Sequence, residues 1–187
     1  MINQILRRKC AFQTVFSVSD VARLTGKQPD ENLLSALSYH VKKGNLLRLT
    51  KGIYSLDNQY SREELANKLR QPSYISLYTV LQKTGVVFQP YTSIFVVSNR
   101  SETLIIGNQK YLYRKIKDTI LLNSQGISEN NGVFEACVER AILDKVYLDG
   151  EEHFDNLNSV DWNYANNLNV DVFKSKTIQK YINKHAG

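Results

Sequence analysis

Cysteine is nearly absent: Cys10 and Cys137 are the only two, and they stand far apart in the chain. That excludes a disulfide framework and the paired spacing of a zinc site, and leaves each thiol as a small buried hydrophobe. No run comes near the ~20 consecutive apolar residues of a membrane-spanning helix, so no membrane partner is expected. The opening MINQILRRKC puts its basic cluster after the apolar residues and lacks the apolar core of a signal peptide, which points to the cytoplasm. Histidine is scarce too. His40, His153 and His185 are the only three, with no spacing that sets two on one helical turn as metal ligands. Walker and Rossmann glycine patterns, internal repeats and low-complexity tracts are all missing. The expectation is a protein that is not an enzyme, with no catalytic residue, no metal and no cofactor.

What is present describes a folded chain: 187 residues, 42% hydrophobic and 22% charged, enough for one large or two small domains. The net charge of +6 is unevenly placed. Residues 1–60 hold nine basic and four acidic side chains, whereas 61–187 hold fifteen and fourteen. A cationic segment of this kind binds polyanions in a salt-dependent way, or simply keeps a surface soluble.

The excess falls on one patterned stretch, residues 17–56. Ser19 is placed to cap a short helix, with Asp20 favourable at its positive end and Gly26 as a left-handed stop. A second helix is expected to begin near Pro29 and run to Gly44, with Leu33, Leu34, Leu37 and Val41 inward at helical spacing. Residues 46–50 and 53–56 then flank Lys51-Gly52, a hairpin turn. With a leading helix over 2–9, this order spells a winged helix-turn-helix. Asn32, Ser35, Ser38, Tyr39 and Lys42 remain outward, short or polar groups suited to base edges and phosphates in a major groove. Lys27 and Gln28 lie at the approach to that helix, and Arg48 and Lys51 on the hairpin are placed for backbone phosphate. The expected partner is double-stranded DNA. A helical subdomain whose polar face meets only water carries the same pattern.

The fold class expected for the whole chain is α+β: residues 1–58 as the winged helix, 57–60 as linker, and 61–187 as an α+β domain with an antiparallel sheet. Ser61 and Glu64 form a capping box for a helix reaching Arg70. Pro72-Ser73 opens another helix, ending at Gly85. Strands follow over 93–98, 103–106, 110–116 and 119–123, in an antiparallel meander. The helical period returns at Val133 and lasts to Asp149-Gly150, and a basic helix over 174–184 closes the chain. Glu135 and Glu139 share a helix face. Arg140 is read either as a contact for a partner or nucleic acid, or as one half of an ion pair that positions the helix. Glu151, Glu152, His153 and Asp155 read as an acidic solvent loop, with a divalent-cation seat as the enzymatic alternative.

Three stretches together carry a family resemblance. The winged helix ending in KGIYSL, the segment PSYISLYTVLQKTGVV and the helix ACVERAILDKVYL resemble the AbiEi antitoxins, the transcriptional-regulator antitoxins of type IV toxin–antitoxin (abortive infection) systems. The likeness spans roughly residues 12–150, by order of motifs more than by identity. The matching positions are Gly52, Ile53 and Tyr54, then Pro72, Ser73 and Tyr74, then Glu139, Arg140, Ala141 and Asp144. The resemblance implies an N-terminal winged helix that binds operator repeats and represses its own operon. It also implies a C-terminal domain, with Glu139, Arg140 and Asp144 as candidate functional residues, that counters an operon-encoded nucleotidyltransferase-like toxin. Its short, Asn-rich C-terminal body departs from the family pattern. A stand-alone regulator with a ligand-sensing or dimerisation domain is the alternative from the residues alone.

Overall fold

A computed structural model of the chain describes residues 2–9 and 12–186, Lys9 by its backbone alone; Cys10 lies outside the described residues. The chain divides into two compact units, Met1–Leu69 and Arg70–Gly187.

The first unit runs helix α1 (Ile2–Lys9), strand β1 (Val15–Ser17), helices α2 (Val18–Thr25) and α3 (Glu31–Lys42), strands β2 (Leu47–Thr50) and β3 (Ile53–Ser55), and helix α4 (Arg62–Leu69). Ser17, not Ser19, caps α2. Its hydroxyl accepts from the Asp20 N–H at 3.1 Å while Asp20 Oδ2 accepts from the Ser17 N–H at 2.9 Å, a reciprocal box that needs the acid three residues on. Asp30 caps α3 by accepting from the Leu33 N–H at 2.9 Å, so this helix starts after Pro29. Leu33 and Leu37 enter a core with Ile2, Leu6, Phe16, Val21, Ala22, Leu46 and Tyr54. Leu34 does not join them: it is 43% exposed. The three strands form an antiparallel sheet in the order β1-β3-β2. Gly52 takes the left-handed conformation (φ 78°) that the hairpin turn requires. The register of β2 shifts between Arg48 and Thr50, which oppose the adjacent Tyr54 and Ile53, leaving Leu49 as the extra residue of a β-bulge.

The expected boundary near 58–60 moves to Leu69, for an electrostatic reason. Ser61 caps α4 through the Glu64 N–H, but Glu64 does not return to Ser61. Its buried carboxylate instead accepts from the Thr14 N–H at 2.8 Å and the Thr14 hydroxyl at 2.7 Å, beside β1. Lys68 meets Asp20 at 2.7 Å, and Leu65 and Ala66 are fully buried. Helix α4 thus closes the first unit.

The second unit holds a six-stranded sheet in the order β6-β7-β5-β4-β9-β8. Its strands are β4 (Ser73–Ile75), β5 (Ile94–Ser98), β6 (Glu102–Ile106), β7 (Gln109–Lys115), β8 (Ile127–Asn130) and β9 (Val133–Ala136). The antiparallel meander expected here is corrected: β5 pairs β7 and β4 pairs β9 in parallel, so the sheet is mixed. Helix α5 (Tyr78–Lys83) begins later than expected, because Ser73–Ile75 is a central strand with Tyr74 and Ile75 buried. Residues 119–123 form no strand; helix α6 (Asp118–Leu121) occupies that stretch. The helix expected from Val133 is corrected: Val133–Ala136 pairs with Ile127–Asn130 as a hairpin, so Glu135 lies on a strand, although Phe134 stands at helical spacing from Val138. Helix α7 (Val138–Asp149) starts only after Cys137 caps it, and packs against α5, α8 (Trp162–Leu168) and α9 (Lys176–His185). A π-helical turn, Asn169–Phe173, follows α8. Among the described residues the fold is α+β, with one antiparallel and one mixed sheet. Among the described residues no helix is long and apolar enough to cross a membrane.

A fragment of residues 1–69 is expected to unfold cooperatively and at a higher temperature than one of residues 1–58, which strands Asp20 without Lys68 and Thr14 without Glu64. Circular-dichroism melts of both fragments check this; equal midpoints would return the boundary to residue 58.

Candidate nucleic-acid interface

Burial of Leu33 and Leu37 sets the rotation of α3, and the opposite side follows from the ~100° step per residue. Asn32, Ser35, Ser38, Tyr39 and Lys42 are all exposed. Ser35, Ser38, Tyr39 and Lys42 line one shallow depression along the helix, together with Leu34. Asn32 stands at the N-terminal end of α3, its amide 3.4 Å from Asp30 Oδ2. Lys27 and Gln28 are exposed in the connection between α2 and α3. The Lys43 ammonium lies 5.9 Å from the centroid of the Tyr39 ring, adding a cation beside the same depression. His40 is half-buried, and burial, with Lys27 nearby, holds its imidazole below the ordinary range.

Arg48 is exposed on β2 and Lys51 at the hairpin turn. Among the described residues no acidic group lies within 4.0 Å of Lys27, Lys42, Arg48 or Lys51, in contrast to Lys68 and Arg23, which both reach Asp20. Cations without internal partners can meet phosphate without first breaking an ion pair. Of these cations, Lys42 stands on the α3 depression beside the Ser35 and Ser38 hydroxyls, and the other three lie elsewhere on the same unit.

The second candidate group proves to be interior. Arg140 and Asp144 are 0% exposed and Glu139 is 8% exposed. Arg140 Nη2 donates to the Ile120 carbonyl at 2.7 Å and to the Tyr74 hydroxyl at 3.2 Å; Nη1 donates to the carbonyls of Asn123, at 3.0 Å, and Gln125. Asp144 accepts from Tyr74 at 3.0 Å and Ser76 at 2.7 Å, with Arg140 Nε 4.0 Å away. The guanidinium also lies over the rings of Tyr74 and Phe173 at 5.1 and 5.5 Å. Gly126 lies against this group. A Cβ there would come within 3.1 Å of Arg140 Cβ, and its φ of +73° disfavours any side chain. Glu139 accepts from the Asp161 N–H at 3.1 Å, ahead of α8. Of the two roles expected for Arg140, the positioning ion pair fits its burial. As folded here, the residue has no open surface from which to touch a partner.

Tyr74, Arg140 and Asp144 are separated by up to 70 residues, yet one hydroxyl joins all three. Sequence reasoning singled out these positions without bringing them together. It missed a second linked set: Lys145 meets Asp149 at 2.9 Å and also Glu152, Arg114 reaches Asp149 at 2.6 Å, and Tyr78 donates to Glu152. Nothing in the spacing pairs Arg114 of β7 with Asp149 at the end of α7. The carboxylates of the alternative cation seat are engaged separately. Glu151 pairs with Lys184, Glu152 with Lys145, and Asp155 accepts from the Phe88 N–H at 2.8 Å. Among the described residues no three His, Cys, Asp or Glu side chains converge on a point.

No protein-family model matches the chain, and no curated protein matches it.

Burial pushes the Asp144 carboxyl up to about 6, against the downward pull of Arg140, Ser76 and Tyr74. A folded value above the unfolded one means that the native state binds the proton more tightly. This group's contribution to stability is therefore full below about pH 4, falls as pH rises towards 6, and is constant above. Carbon-13 NMR is expected to place the Asp144 titration near pH 6, with its share of stability declining by on the order of 2–3 kcal/mol over that window. A midpoint below 4 would contradict this.

Proposed function

We propose that the first unit is a winged helix-turn-helix that binds duplex DNA, and that the chain is a transcriptional repressor of its own operon. In this reading α3 is the recognition helix and the β2–β3 hairpin is the wing. The order of elements in the unit, with its three-stranded sheet, supports the assignment. The observation that carries it is the exposed face of α3: Ser35, Ser38, Tyr39 and Lys42 on one depression, with unpaired Lys27, Arg48 and Lys51 in the same unit. Asn32, Ser35 and Ser38 read base edges; Lys27, Lys42, Arg48 and Lys51 neutralise phosphates, and Gln28 and Tyr39 flank the groove. The basic surplus of residues 1–60 supplies the counterion-release part of the affinity.

The role of the second unit as the antitoxin of a type IV system, acting in the cytoplasm against a nucleotidyltransferase-like toxin, rests on the resemblance to the AbiEi family. Burial of Arg140 and Asp144 moves their part in such a role from contact to construction: Arg140 bonds the connection between α6 and β8, and Asp144 bonds Tyr74 and Ser76 of the β4 region. Rescue of growth on co-expression with a neighbouring nucleotidyltransferase-like gene tests the antitoxin role. Persistence of toxicity with the full chain would leave a stand-alone regulator.

Two substitutions separate the parts of the interface. Lys51→Ala is expected to weaken binding about equally on all duplexes and to lower the slope of log affinity against log salt by about 1. Ser35→Ala is expected to relax the preference at one base pair by roughly 1–3 kcal/mol while leaving that slope unchanged. Salt titrations and a binding selection on the full chain read both. A Lys51 effect confined to one sequence would contradict the phosphate assignment.

A further inference from the structure

Leu34 is the residue of α3 that hydrophobic spacing assigns to the core and the structure does not. Its neighbour Leu33 is 1% exposed, while Leu34 keeps 43% of its surface in water and stays outside the cluster that Leu33 and Leu37 enter. From Leu33 it lies about 100° around the helix, and from Ser38 only about 40°. It shares the depression with Ser35, Ser38, Tyr39 and Lys42, as the one aliphatic side chain there. A leucine outside the core cluster and beside hydroxyls keeps nearly half its surface in water, and it supplies what a polar reading face lacks. The thymine C5-methyl is the only apolar group that a base pair presents in the major groove, and hydrogen-bonding side chains cannot sense it.

We propose, on the premise that the first unit binds duplex DNA, that Leu34 is a specificity-determining residue that packs on the C5-methyl group of a thymine. Ser35 and Ser38, one turn apart on the same face, set the register of the helix in the groove by hydrogen bonds. Leu34 then discriminates a thymine from the other bases by contact alone. Removing the thymine methyl costs the apolar area of about one carbon, roughly fourfold in affinity.

The test is a double-mutant cycle on the full-length chain. A duplex is first recovered by binding selection with the wild-type protein, and its thymines are replaced one at a time by deoxyuridine, which deletes the methyl and nothing else. Expected is one position where the replacement weakens wild-type binding roughly fourfold and leaves the affinity of Leu34→Ala unchanged. Leu34→Met, which keeps an apolar side chain of similar volume, is expected to retain the sensitivity. Thermal melts of both variants are expected to show a single cooperative transition within a few degrees of wild type, because Leu34 lies outside the core cluster. If the selected duplex binds with normal salt dependence and no position shows a methyl effect that depends on residue 34, the thymine contact is wrong and DNA binding stands. If no duplex shows salt-sensitive binding, both fall.

Discussion

Everything proposed for the first unit depends on one packing constraint, the insertion of Leu33 and Leu37 between α1, α2 and the sheet. A helix has one rotational freedom about its own axis, and two fully buried leucines four residues apart remove it. Once they are seated, the outward set is determined: 35, 38, 39 and 42 share a face by geometry, whatever their chemistry. Burial of an apolar pair is thus what presents the polar groups. A change at Leu33 or Leu37 acts on the interface without touching it.

The second unit is organised by a different physics. Arg140, Asp144, Tyr74 and Ser76 bury two charges and two hydroxyls where apolar side chains would pack more cheaply. What they add is direction. The guanidinium presents donors in a fixed fork, and three of its acceptors are backbone carbonyls of residues 120, 123 and 125, at the end of α6 and along the connection to β8. The Ile120 carbonyl also accepts from the Asn123 N–H at 3.2 Å, so the guanidinium adds to a backbone turn and extends the hold to Asn123 and Gln125. One side chain on a regular helix therefore specifies the course of an irregular segment, and Gly126 lets that segment approach closely enough to be held.

The first unit was largely legible because its signals are local. Capping residues, leucine spacing and a glycine turn lie within a few positions of what they control. The differences there are of one or two residues, as with Ser17 for Ser19 and Asp30 for Pro29, or of about 100° around a helix, as with Leu34. The second unit was less legible, because its pairings are distant. Nothing near Ser73–Ile75 announces that it pairs with residues 96–98 on one side and with Glu135 on the other. Hairpin β8–β9 did carry a local signal in Asn131-Gly132, both with positive φ, as a two-residue hairpin turn demands. It was outweighed by the coincidence of Phe134 with a helical period. Glu64 illustrates a third kind of loss: a capping motif was recognised, but its glutamate found Thr14, fifty residues earlier, a better partner.

The bulge at Leu49 carries a consequence of its own. Side chains alternate across a strand with a period of two, so the extra residue decides whether Arg48 and Lys51 emerge on compatible sides of the ribbon. A chain shortened by that single leucine would keep every charge and still pair β2 with β3, yet the alternation of side chains between Arg48 and the turn would be reversed. The presentation of the two cations, in such a molecule, is a matter of parity rather than of their number.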